Sequence, residues 1–144
     1  VLDVLGENVF HLGKLGSGHT IKLINNYFGM TTAVAMSEAF ATADAAGIER
    51  ETLYDVMAAG PLRSAMMDFI RNYAVDGNCD LGFSIGNAGK DVGYYREMTA
   101  QLGLNSRMSA CASNALNEAR DAGDGDKMVP EMVDWMTRNL PNKG

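Results

Sequence analysis

Residues 20–46 contain no proline and a single glycine, and this stretch constrains the fold more than any other. Ala, Met, Leu and Ile fill most of it, and such residues favour helix. The pattern predicts one helix from Thr20 to Ala46, far longer than the mean of about 11–12 residues. We expect other helices to surround it as a central axis, because its apolar residues lie on more than one face. Those residues are Ile21, Ile24, Phe28, Val34, Ala35, Ala39 and Phe40.

Glycine, serine and proline divide most of the remaining chain into five shorter helices. The expected segments are Glu51–Ala59, Arg63–Tyr73, a helix capped by Ser84 that runs to Leu102, a helix capped by Ser106 that runs to Ala122, and a last helix after Pro130. The inward stripe of the fifth helix is predicted to be Met108, Cys111, Ala115 and Ala119. Only Val9–Leu12 resembles a strand, so the fold class is all-α, built around one long central helix.

Composition excludes several classes of function. The 144 residues suit one main domain, and a net charge of −6 leaves no basic surface for nucleic acid. No apolar run reaches the roughly 20 residues that a membrane span needs. Cys79 and Cys111 lack CxxC spacing, which indicates free thiols in a cytoplasmic protein. His11 and His19 lack metal-ligand spacing, so we predict no metal site.

The glycine-rich segment Gly13–Thr20 fails two phosphate-binding patterns. Gly13 and Gly18 have the separation of a P-loop, but His19 stands where the lysine is needed. A dinucleotide fingerprint that starts at Gly16 and Gly18 requires a third glycine at the position of Ile21. This segment therefore has another role.

Three polar residues follow that segment at helical spacing. Lys22, Asn25 and Asn26 lie near one face of the long helix, and Tyr27 is the only other ionisable residue between Ile21 and Ala35. Lys22 could extend to solvent at the helix end. Alternatively it is partly buried, and the glycines before it let a ligand approach a helix N-terminus that favours anions. The second case indicates an acid/base lysine beside a carboxylate-bearing substrate.

The run Gly13-x-x-Gly16-x-Gly18-x-x-x-Lys22-x-x-Asn25-Asn26 resembles the catalytic signature of the β-hydroxyacid dehydrogenases. This family includes 3-hydroxyisobutyrate dehydrogenase and tartronate semialdehyde reductase. Further matching positions lie along most of the chain, and they correspond to the C-terminal helical domain of the family. They are Glu38-Ala39, Gly47, Phe83, Lys90-Asp91 and a Gly-Asp-Gly-Asp loop that ends at Asp126.

The resemblance implies a role for five residues. Lys22 matches the catalytic lysine, which exchanges a proton with the substrate oxygen, and Asn26 matches the residue that holds the substrate and orients the lysine. Gly18 and Asn25 would contribute to the substrate site. Lys90 matches a lysine that contacts the cofactor, NAD or NADP, although its sequence context alone indicates an ordinary surface charge.

The resemblance also implies an organisation for the whole protein. Residues 1–12 would be the remnant of an absent N-terminal Rossmann domain, and residues 13–144 the helical substrate and dimerisation domain. The complete enzyme would interconvert a small 3-hydroxy acid and its semialdehyde or keto form as a homodimer or tetramer, and this chain alone would be inactive. Two alternatives stay open: a noncatalytic helical module for oligomerisation or partner binding, and a relative of 6-phosphogluconate dehydrogenase.

Overall fold

The computed structural model describes residues 12–141. Six α-helices, a π-helical turn and a 3-10 turn account for most of them, and no named strand occurs within this range. The helices are α1 Ser17–Ala45, α2 Arg50–Ala59, α3 Ala65–Asp76, α4 Ile85–Gln101, α5 Arg107–Ala119 and α6 Met132–Asn139. The all-α prediction is confirmed, whereas most of the expected strand Val9–Leu12 lies outside the described residues.

The helix ends follow local backbone chemistry. Helix α1 ends before Gly47, which has a φ of 71° that few residues besides glycine adopt. Ser84 caps α4, because its hydroxyl oxygen accepts a hydrogen bond from the amide of Asn87 at 3.3 Å. Ser64 caps α3 in the same way, accepting from Met67 at 3.2 Å. The predicted start of α3 at Arg63 is therefore two residues early.

Helix α5 differs from its prediction in length and in orientation. It ends at Ala119 rather than Ala122, and the chain continues as a π-helical turn in which Gly123 has a φ of 101°. Met108 and Cys111 are exposed, so half of the predicted inward stripe is wrong. The face that is buried consists of Ser109, Ala112, Ser113, Leu116 and Ala119. Burial of Ser109 is tolerated because its hydroxyl donates to the carbonyl of Ser106 at 3.0 Å.

The core lies around the second half of α1. Fully buried side chains from α3, α4, α5 and α6 pack with Phe40 of α1 in one cluster; they include Ile70, Ile85, Leu116 and Val133. The predicted central axis is therefore confirmed for this half of the helix. The earlier half differs, since Ile21, Ile24 and Phe28 are exposed.

Two polar connections fix the ends of the bundle. At the C-terminal end of α1, the Asp44 carboxylate accepts from Arg50 Nη2 at 2.6 Å and from Thr137 Oγ1 at 3.2 Å. At the start of α4, the amides of Ile85 and Gly86 donate to the carbonyls of Lys127 and Gly125 at 2.8 and 2.9 Å. The second connection attaches the beginning of α4 to the loop that precedes α6.

Among the helices described, none has both the length and the apolar character needed to cross a bilayer.

Candidate functional site

The candidate site begins where α1 begins. Gly16 precedes the helix with a φ of 92°, and no side chain caps the first turn. The first turn also lacks acidic residues, so nothing on this element neutralises the positive end of the helix dipole. Gly18 is exposed, and a Cβ placed on it would meet only the Leu12 side chain, at 3.5 Å. The turn is therefore open to an approaching anionic group.

Lys22 lies one turn further along α1, and it is exposed. The sequence pattern left both a partly buried and a solvated lysine open, and in this chain the lysine is solvated because the first half of α1 is uncovered. Asn25 is exposed as well, whereas Asn26 is half-buried. Residues four apart face the same side of a helix, with Cβ atoms about 5–6 Å apart, so Lys22 and Asn26 are neighbours.

Asn26 is held by a residue of α4. Its amide nitrogen Nδ2 donates to the Asp91 carboxylate oxygen Oδ2 at 2.9 Å, across 65 positions of sequence. Next to this bond, the rings of Tyr27 and Tyr95 stack with their centroids 4.0 Å apart and their planes within 6°. Burial, followed by repulsion between the two phenolate forms when Tyr27 and Tyr95 are both ionised, raises the pKa of Tyr27 above its ordinary value.

The two contacts from α4 were not among the features predicted from the sequence. Asp91 entered only as part of the pair Lys90-Asp91 that matches the family, and Tyr95 was not singled out. Their four-residue separation puts them on one face of α4, which is the available sequence signal. Nothing in the sequence indicates that this face meets Asn26 and Tyr27, because the helices are far apart in the chain.

Lys90 stands beside this contact without taking part in it. The lysine is exposed, and its Nζ lies 5.7 Å from the centroid of the Tyr94 ring, within the range of a cation–π interaction. Lys90 and Tyr94 border a groove of about 650 Å³ between α4 and α5. The structure thus joins Asn26 to the residue after Lys90, and it leaves Lys22, Gly18 and Asn25 on the open first turns of α1.

An apolar cavity of about 510 Å³ adjoins the same part of α1. Its lining includes three exposed apolar residues that are distant in the sequence: Phe28, Leu62 and Met108. Exposed apolar surface of this kind is typical of interaction sites in proteins. No group of three or more His, Cys, Asp or Glu side chains able to hold a metal occurs within residues 12–141.

The chain is similar along most of its length to known dehydrogenases. The chain is 25% identical over 134 residues to 2-(hydroxymethyl)glutarate dehydrogenase of Eubacterium barkeri, covering 92% of the chain and 44% of that protein. It is 27% identical over 148 residues to L-threonate dehydrogenase of Haemophilus influenzae, covering 100% of the chain and 48% of that protein. The chain therefore spans about half the length of the curated relatives it matches.

Solved structures give the same result. The 3-hydroxyisobutyrate dehydrogenase of Salmonella typhimurium superposes with a TM-score of 0.85 at 26% identity, covering 93% of this chain and 47% of that one. A family model described as "NAD-binding of NADP-dependent 3-hydroxyisobutyrate dehydrogenase" matches residues 16–136. Since that match includes most of the chain, the chain belongs to this domain family of the 3-hydroxyisobutyrate dehydrogenases.

Proposed function

We propose that this chain is the helical part of an NAD- or NADP-dependent oxidoreductase that interconverts a small 3-hydroxy acid and its semialdehyde or keto form. The observation that carries the proposal is the adjacency of Lys22 and Asn26 at the open start of α1, with Asn26 anchored to Asp91. Membership of the 3-hydroxyisobutyrate dehydrogenase family supports the reaction class and the cofactor. The similarity to a 2-(hydroxymethyl)glutarate dehydrogenase and an L-threonate dehydrogenase supports a small hydroxy-carboxylate as substrate.

In the proposed reaction Lys22 moves a proton. A bound nicotinamide ring would take or supply the hydride at the substrate carbon, so the attached oxygen must lose or gain a proton. Lys22 Nζ would accept it during oxidation and donate it during reduction, and Asn26 would hold the substrate beside it. The open first turn at Gly18 would favour the substrate carboxylate, with Asn25 at its edge.

Lys90 is the residue of this chain that would face the cofactor. Its exposed ammonium group, held near the Tyr94 ring, suits a phosphate or carbonyl group of a dinucleotide. Most of the dinucleotide would be bound by an N-terminal Rossmann domain, of which residues 1–12 would be the last part. Residues 13–144 would form the helical domain, and the substrate would bind between the two.

We also propose that the complete protein is a homodimer or tetramer in the cytoplasm. The apolar cavity beside Phe28, Leu62 and Met108 supports a second chain as the occupant. Two exposed free thiols support a reducing compartment. In light scattering we expect a dimer or larger, which Phe28→Glu dissociates and Leu102→Glu, on another exposed surface, does not. A monomeric wild type at high concentration would contradict the assembly.

Substitution of Lys22 tests the catalytic proposal. In the enzyme assembled with its nucleotide-binding domain, we expect Lys22→Ala to lower kcat by about 10²- to 10⁴-fold, the usual contribution of a positioned acid/base. Lys127→Ala is the matched control, because that lysine only pairs with Asp124 at 2.9 Å on the surface. Turnover by Lys22→Ala within about threefold of wild type would remove the lysine from the mechanism.

The noncatalytic alternative makes a different prediction. A helical module for oligomerisation or partner binding would give an assembled protein that oxidises no member of a hydroxy-acid panel with either NAD or NADP. The matching family is that of 3-hydroxyisobutyrate dehydrogenase, which favours this substrate class over the 6-phosphogluconate dehydrogenase alternative.

A further inference from the structure

The contact between α1 and α4 beside Lys22 consists of two neighbouring interactions. Asn26 donates to Asp91 at 2.9 Å, and Tyr27 stacks on Tyr95 at 4.0 Å. Asp91 and Tyr95 are one turn apart on α4, so a single face of α4 holds two consecutive residues of α1. One interaction is polar and fixes an orientation, whereas the other is an aromatic contact that adds packing.

The chemistry of a carboxylate determines which way the Asn26 amide faces. An ionised carboxylate only accepts hydrogen bonds, so the NH₂ end of the amide must point to Asp91. The carbonyl oxygen Oδ1, which shares the amide plane with Nδ2, then points away from the Asp91 carboxylate. The protonated form of Lys22 only donates hydrogen bonds, and a substrate hydroxyl can donate to a carbonyl as well. With this orientation, Oδ1 of Asn26 is available to accept hydrogen bonds from Lys22 and from the substrate hydroxyl in the proposed site.

Lys90 does not compete for Asp91. Although the two residues are adjacent in the chain, the Lys90 ammonium group lies against the Tyr94 ring, 5.7 Å from its centroid. The Asp91 side chain is half-buried between the helices and bonded to Asn26, which suits a role toward α1.

We propose that Asp91 is a positioning residue that acts through Asn26, fixing its amide so that Oδ1 faces Lys22 and the substrate hydroxyl. This inference rests on the proposed function, because it assigns Asp91 a part in the Lys22 reaction. Asp91 needs no contact with substrate or cofactor in this role. It follows that a neutral acceptor at position 91 should serve almost as well as the carboxylate, whereas an apolar residue should not.

The test compares Asp91→Leu with Asp91→Asn in the assembled enzyme. Asp91→Leu removes the acceptor, and we expect kcat to fall by about 10- to 100-fold, as for a lost hydrogen bond to a charged group. Asp91→Asn retains an acceptor oxygen and should stay within about threefold of wild type. The inference is overturned if Asp91→Asn falls as far as Asp91→Leu, or if Asp91→Leu keeps its turnover.

Two further variants separate positioning from simple structural support. Tyr95→Leu removes the neighbouring stack. We expect this variant to have a lower melting temperature, and its loss of kcat to be smaller than that of Asp91→Leu. A kcat loss equal to that of Asp91→Leu would mean that the helix contact as a whole matters, which contradicts the inference. In an Asn26→Ala background, Asp91→Leu should add no further loss, because Asp91 acts through Asn26. Independent losses that multiply would also overturn it.

A readout without turnover distinguishes failure of this inference from failure of the proposed function. In nuclear magnetic resonance spectra of the protein, the Asn26 side-chain amide protons should exchange slowly with solvent in wild type and Asp91→Asn, and rapidly in Asp91→Leu. Equal exchange in all three proteins would refute the orienting bond itself. If the exchange rates differ as expected but the wild type oxidises no hydroxy acid, the proposed function fails and the orienting bond stands.

Discussion

The part of α1 before Met30 and the part that begins at Met30 are covered very differently. In the first part only Leu23 is buried, and Ile21, Ile24 and Phe28 are 44%, 46% and 70% exposed. The second part holds the other buried residues of the helix, which are Met30, Ala33, Val34, Met36, Ser37, Phe40, Ala41 and Ala43. One continuous helix thus contributes a hydrophobic core at one end and an uncovered polar and apolar surface at the other. The buried end anchors the helix in the core and so positions the open end, which carries Lys22 and Asn26.

The comparison is tested most directly by two phenylalanines of the same helix. Phe40 is fully buried, so Phe40→Ala should destabilise the chain by about 3–5 kcal/mol through lost burial and the cavity left behind. Phe28→Ala should change stability by about 0.5 kcal/mol or less, because its ring is mostly in solvent. Urea unfolding at low protein concentration measures both. Similar losses for the two variants would mean that the first part of α1 supports the fold after all.

A smaller effect is expected at the polar end of the buried part. Asp44 receives hydrogen bonds from Arg50 Nε at 2.9 Å and Nη2 at 2.6 Å, and Arg50 Nη1 also donates to the carbonyl of Ala74 at 2.9 Å. Asp44→Asn turns one acceptor of the Arg50 fork into a donor, which should cost about 1–3 kcal/mol. Asp55→Asn, at an exposed position of α2, serves as the control and should cost about 0.5 kcal/mol or less.

The same pair predicts an acid-side pH dependence. The hydrogen bonds from Arg50 hold the pKa of Asp44 below its ordinary value, more than offsetting its partial burial. Because the folded pKa is lowered, the contribution of Asp44 is complete above the unfolded pKa of about 3.9 and is lost as the pH falls through the folded value. Wild type and Asp44→Asn should therefore converge in stability below about pH 4, whereas a constant difference down to pH 2 would contradict the pair.

The sequence predicted the helices well where local chemistry decides their bounds. Gly47 and Ser84 mark positions at which the backbone needs a left-handed residue or a hydroxyl cap, and α1 and α4 end or begin beside them. The family resemblance also followed from local spacing, since Lys22, Asn25 and Asn26 lie within two turns of one helix.

Tertiary contacts set the limit of that prediction. The predicted stripe of α5 favoured Met108 and Cys111, but the helix buries Ser109 and Ser113 because their hydroxyls find partners along their own helix. The pairing of Asn26 with Asp91 depends on how α1 crosses α4, which no periodicity encodes. Whether Lys22 is exposed depends on which other segments pack against the first part of α1. The spacing of residues along the helix does not determine that packing.

The connection at the start of α4 has a mechanical consequence. Val129 donates to the carbonyl of Phe83 at 2.8 Å, alongside the bonds from Ile85 to Lys127 and from Gly86 to Gly125. A Cβ on Gly86 would lie only 3.1 Å from the carbonyl oxygen of Gly125. The backbone at the start of α4 is therefore in direct contact with the backbone of the loop that contains Gly125. These bonds close α4, α5 and the turn between them into a ring of covalent and hydrogen bonds. Separating the start of α4 from the loop before α6 would therefore require these three backbone hydrogen bonds to break together.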